Sequence, residues 1–184
     1  TRIETRQGLV PVEELRAGMR ILTLDNGYQP LRWVGCQRLN GYGAGAPVDI
    51  AAGALGQNGR LVVSARHKLL TRPSVGPLSG EEILVEAGDL VGREGISRAP
   101  RASVLWYHIL FERHEIVRAE GAAAESLQLT DEALAMLAPE ARASLKARLG
   151  RSDSGADASL MPARAILAGG QMARLRKRWG AGEY

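Results

Sequence analysis

The chain has 184 residues, with 24 Lys+Arg, 20 Asp+Glu, three His and one Cys. That length fits one domain with a small appendage, large enough to bury a core without covalent staples. A single Cys excludes an intrachain disulfide, and no apolar run approaches the roughly 20 residues of a spanning helix. The net charge of +4 is local. Arg174, Arg176, Lys177 and Arg178 carry it, and without them 20 basic residues face 20 acidic ones. The body is therefore neutral, and the basic patch is read as a solvated helix end or tail. A polyanion-binding role for that tail is the weakest of the functional readings. Thr1-Arg2-Ile3-Glu4 has no apolar leader core, so no signal peptide is read there. The missing Met points to a fragment or a processed product.

In chain order, short β-like runs alternate with Gly, Pro and Asn up to about residue 125. Val10–Leu15 precedes Gly18. Ile21–Leu24 meets Asp25-Asn26-Gly27 and then Tyr28–Val34, which predicts a type I′ hairpin at Asn26-Gly27, since both central residues of that turn need φ > 0. Arg60–Ser64, Glu82–Glu86, Ser103–Phe111 and Glu115–Ala119 continue the pattern, and turn residues at this spacing predict an all-β body. Beyond residue 126 the period changes. Thr130 is placed to cap a helix opening on Asp131 and Glu132, and Pro139 to begin a second one, with Leu145 and Leu149 on one face. Residues 150–159 are polar and read as a linker. Met161–Trp179 is helix-like, although Gly169-Gly170 interrupts it.

Few side chains can do proton chemistry at neutral pH. Ser64 and His67 form a Ser-x-x-His at the end of a β-run, an acid–base pair if the chain turns between them. The same spacing also suits a surface turn with His67 beside Arg66 and Lys68. His108 and His114 share a strand face but would lie about 20 Å apart along a fully extended strand, so only a bend brings them to one site. No ligand spacing prearranges a metal site from the histidines and Cys36. Cys36 itself is read as a small buried hydrophobe rather than a nucleophile. Gly41-Tyr42-Gly43-Ala44-Gly45 lacks the Lys-Ser/Thr of a phosphate loop and reads as a surface loop.

Four segments in order carry a more specific signal: Thr1–Gly8 with Pro11–Thr23; Gly27–Gly35; Ser64 with His67; and Tyr107–Glu115 followed by Ala119-Glu120-Gly121. Together they resemble Hint domains, the Hedgehog/intein self-processing module, and most closely the bacterial intein-like group. The resemblance covers about residues 1 to 127 and leaves 128–184 as a helical C-terminal extension. It implies an all-β, horseshoe-like Hint fold with pseudo-twofold symmetry. It also implies an N-to-S acyl shift at the domain's own N-terminal junction and thioester-mediated cleavage of a covalently attached upstream polypeptide, the cis substrate. By position, His67 would protonate the departing amide nitrogen and Ser64, in place of the more usual Thr, would orient the scissile peptide. His108 falls where related domains carry a catalytic Asp, Cys or other polar residue, and His114 on the late-strand His.

The family's heading Cys would stand a few residues before Thr1, so the chain as written is expected to be inert. No C-terminal His-Asn pair occurs, so splicing is not expected. No cofactor, metal, membrane or nucleic-acid partner is implied. Similar bacterial modules point to a secreted protein. The alternative is a Hint scaffold that has lost catalysis and serves as a binding or structural module.

Overall fold

The computed structural model describes residues 1–74, 78–150 and 161–167, and every count below refers to them. The strands are β1 (Arg2–Thr5), β2 (Gly8–Pro11), β3 (Arg20–Thr23), β4 (Gly27–Pro30), β5 (Trp33–Gly41), β6 (Val48–Ile50), β7 (Leu61–Val63), β8 (Lys68–Thr71), β9 (Ile83–Glu86), β10 (Ile96–Arg98), β11 (Arg101–Leu110), β12 (Ile116–Ala119) and β13 (Ala122–Glu125). Two helices follow, α1 (Asp131–Met136) and α2 (Pro139–Leu149), and then a two-residue strand, β14 (Ala165–Ile166). The fold is mostly β-sheet, with no closed barrel.

Nine strands form one sheet in the order β14-β9-β8-β13-β12-β1-β3-β4, with β2 paired to β1. Strands β10, β6 and β7 make a second sheet, and β5 with β11 a long two-stranded ribbon. Alternation sets the faces: in β1, Ile3 and Thr5 point inward while Arg2 is exposed. Strand β9 instead buries Ile83, Leu84 and Val85 together, the continuous apolar run of a strand covered on both sides. The main core gathers Ile21, Ile50, Leu61, Leu69 and Leu90, all fully buried. A second cluster of Trp33, Leu110, Leu129, Leu137, Ala141 and Leu145 seats the helices on the ribbon. Both predicted helix starts form: Thr130 Oγ1 accepts the Ala133 N–H at 3.1 Å, and Pro139 occupies the first turn of α2.

The type I′ turn lies elsewhere than expected. Strands β3 and β4 pair Thr23 with Gly27, leaving the three residues 24–26 as the loop, and only Gly27 there has positive φ. A two-residue turn with positive φ at both central positions forms at Glu120-Gly121, with φ of 52° and 94°, between Ala119 and Ala122. Glu120 holds this uncommon conformation while its carboxylate accepts from the Arg2 backbone N–H at 2.6 Å and pairs with the Arg2 guanidinium at 2.9 Å. The run Val10–Leu15 is not one strand, because Val12–Glu14 coils into a 3₁₀ turn after Pro11. Cys36 is exposed, not buried. It sits on the ribbon face opposite Gln37, which is the buried one. Met161–Leu167 is not helical, since Ala165 and Ile166 pair in parallel with Ile83 and Leu84 of β9. The expected linker after Gly150 and the basic segment Arg174–Arg178 lie outside the described residues. Among the described residues no helix is long and apolar enough to cross a membrane.

Candidate active site

Ser64 and His67 stand at the two ends of a turn between β7 and β8, closed by the His67 N–H donating to the Ser64 carbonyl at 3.1 Å. The His67 carbonyl accepts from Ala87 N–H at 2.8 Å, so the backbone is held from both sides. The imidazole is half-buried rather than a surface group. Burial pushes its pKa down from the ordinary value, the nearby Glu125 carboxylate pulls it back up in part, and the charges of Lys68 and His114 push it down again.

Glu125 is the carboxylate of this site, and its side chain is only 9% exposed. One oxygen accepts the Lys68 backbone N–H at 2.9 Å, and the Lys68 ammonium lies 3.4 Å from both oxygens. The other oxygen lies 3.4 Å from Nε2 of His114, an electrostatic contact rather than a well-aligned hydrogen bond. Burial alone would raise the Glu125 carboxyl. Contact with His114 and the charges of His67 and Lys68 outweigh it and hold the pKa below the usual carboxylate value.

The other two histidines arrive through the bend that the sequence left open. Strand β11 ends at Leu110, and the chain turns before β12 begins at Ile116. His67 then lies within electrostatic range of both His108 and His114. His108 is pushed down to about 4, by burial first and by His67 second. Its Nε2 meets the Gln37 side-chain nitrogen at 3.1 Å. His114 has a side chain with no exposed surface, and its Nδ1 accepts the Ala163 N–H at 3.0 Å. The structure thus brings His67 and His114 to Glu125 and His108 to the side of His67, with Ser64 at the start of the turn.

Sequence reasoning missed Glu125, Gln37 and the Ala163 amide. Gln37 had a signal, since it lies four residues after Trp33 and so shares the buried strand face. Glu125 closes a run of alanines and had none. Among the described residues no group of three His, Cys, Asp or Glu side chains is placed to hold a metal ion. A cleft lined by Arg16, Trp33, Cys36, Tyr107 and Arg148 includes none of the histidines.

Thr1 is not at the cluster. Ile3 pairs with Ala119, Ala119 with Ala122, and Ile116 with Glu125, so Thr1 runs past the Glu120-Gly121 turn while Glu125 lies at the other end of β13. Their levels differ by about 15 Å at the usual rise per residue.

The described residues thus form a mostly β domain with a histidine–carboxylate cluster, side chains able to do acid–base work. Residues 1–131 match the Hint domain family, and the chain belongs to it. Among solved structures, it is similar to a bacterial intein-like domain from Clostridium thermocellum (16% identity, 68% of this chain and 94% of that one, TM-score 0.47). It is also similar to the MchDnaB-1 intein (13% identity, 67% and 95%, TM-score 0.42) and to the gp41-1 intein (10% identity, 67% and 92%, TM-score 0.40). No curated protein sequence matches.

Proposed function

We propose that this domain cuts the peptide bond joining it to an upstream polypeptide, by an N-to-S acyl shift followed by thioester cleavage, without splicing. The thiol belongs to a Cys a few residues ahead of Thr1. It attacks the carbonyl carbon of the peptide bond on its own N-terminal side. A C–S bond forms, the C–N bond breaks, and the Cys nitrogen leaves as an amine. The proton lost by sulfur is the one the nitrogen needs, so a single shuttling base balances the step.

His67 is that shuttle. Held neutral by burial, it can take the thiol proton; once charged in a desolvated site, it is a strong acid toward the amide nitrogen, which is a poor leaving group until protonated. Glu125 stabilises the imidazolium between the two transfers. The Ser64 hydroxyl is the orienting group for the scissile peptide, while His108 and His114 complete the polar wall. Water or another nucleophile then attacks the thioester carbonyl and returns the thiol.

The observation that supports this most directly is the desolvated His67 imidazole, on a turn held by backbone hydrogen bonds and within electrostatic reach of the buried Glu125 carboxylate. The test is a chain extended by a Cys-headed segment and a reporter peptide. Hydroxylamine or a thiol should release the reporter, and replacing the added Cys with Ala should abolish release. Release that survives the loss of that Cys rules out the thioester route.

A further inference from the structure

The Hint family match ends at residue 131, yet two of the three histidines take a ring-nitrogen contact that depends on chain beyond that point. Gln37 makes the first link. Its side-chain oxygen accepts the Ala138 N–H at 2.6 Å, which fixes which end of the amide is oxygen. Its nitrogen therefore donates, to the Met136 carbonyl at 3.4 Å and to Nε2 of His108 at 3.1 Å. A ring nitrogen that accepts carries no proton, so neutral His108 holds its proton on Nδ1. Ala138 and Met136 belong to the α1–α2 junction, which the Arg142 guanidinium also clamps through the Leu137 carbonyl at 3.1 Å and the Ala135 carbonyl at 3.0 Å.

The second link has the opposite sense. The Ala163 N–H donates to Nδ1 of His114 at 3.0 Å, so neutral His114 carries its proton on Nε2, toward Glu125. Ala163 is held there by its neighbour. The Arg164 guanidinium pairs with Asp25 at 2.6 and 2.9 Å and with Glu82 at 2.7 Å, bridging the β3–β4 loop and the edge of β9. Parallel pairing of Ala165 and Ile166 with β9 continues the anchor.

We propose that the described chain beyond residue 131, at the α1–α2 junction and around Ala163, is a positioning element of the histidine site, fixing His108 as the Nδ1–H form through Gln37 and His114 as the Nε2–H form through Ala163. Gln37 and Arg164 are its positioning residues. With both acceptor nitrogens filled, each ring is left with a single donor, His108 from Nδ1 and His114 from Nε2 on the side of Glu125. The importance of this for cleavage rests on the function proposed above. The tautomers themselves do not, so the two claims fail separately.

The test is long-range ¹H–¹⁵N correlation of the imidazole rings in the full, ¹⁵N-labelled chain near pH 7.5. The expected spectrum shows His108 with an unprotonated Nε2 and His114 with an unprotonated Nδ1. Either ring in the other tautomer, or averaged between the two, overturns the proposal without any variant. Gln37→Glu keeps the acceptor for Ala138 but sets an oxygen against Nε2, so His108 should move its proton to Nε2 while His114 stays unchanged. Arg164→Ala should shift only His114 toward averaged ring nitrogens, and Arg164→Lys should recover part of the fixed form. A Gln37→Glu protein with native amide dispersion and an unmoved His108 signature contradicts the proposal.

Discussion

Glu125 accepts the Lys68 backbone N–H at 2.9 Å, which places its carboxylate one residue from His67 across two strands that are distant in sequence. The bond pins the acid to the backbone of the turn rather than to a mobile side chain. A charge so placed must act on the neighbouring imidazole, and its effect on His67 is upward. Removing the charge while keeping the shape should therefore let burial act with less opposition. In Glu125→Gln, an NMR titration of the His67 ring should move to lower pH than in the parent chain. An upward move would mean that Glu125 does not face His67.

Burial of neutral histidines also sets how stability follows pH. His108 is shifted from 6.5 to about 4 on folding. Between those values the unfolded chain binds a proton that the folded chain does not, so stability must fall as pH drops through this window. The contribution is on the order of 3 kcal/mol at its fullest. His67 acts in the same direction, and Glu125, whose carboxyl is held low, adds a further loss once pH falls below the unfolded value of 4.5. Urea unfolding at pH 7.5, 5.5 and 4.5 should show progressively lower midpoints, and His108→Gln should flatten the decline. A midpoint constant across this range would contradict the buried neutral state of His108.

Gly35 pairs with His108 across the ribbon, and the Trp33 indole lies where its Cβ would be. Trp33 in turn donates from Nε1 to the Ser144 hydroxyl of α2 at 3.1 Å. Gly35→Ala should force the indole away, loosen α2 from β5 and destabilise the fold by about 1–3 kcal/mol, the usual range for an overpacked core. Chemical denaturation with tryptophan fluorescence measures both effects. An unshifted midpoint with unchanged emission would show that the indole has room to move.

What the sequence made legible was local. Turn residues marked the strands, Thr130 and Pro139 marked the helix starts, and Ser64 with His67 marked a turn that does form. The partners that define the site were not legible, because each lies far off in sequence. Glu125 meets the turn from 57 residues away, Gln37 meets His108 from 71, and Ala163 meets His114 from 49. Periodicity reports which face a residue occupies, not which distant residue faces it. The misplaced type I′ turn has the same origin. Asn26-Gly27 is the stronger local signal, but pairing of Thr23 with Gly27 lengthens that loop, while the Arg2–Glu120 pair accompanies positive φ at a residue that does not favour it.

The central claim is that His67 moves the proton on which bond breakage depends. The most direct measurement is the rate of hydroxylamine-induced reporter release from the upstream-extended chain, with and without His67→Ala. Loss of a positioned acid–base group predicts release slower by about 10²-fold or more, with the folded amide spectrum retained. Equal rates in the two proteins would remove His67 from the chemistry.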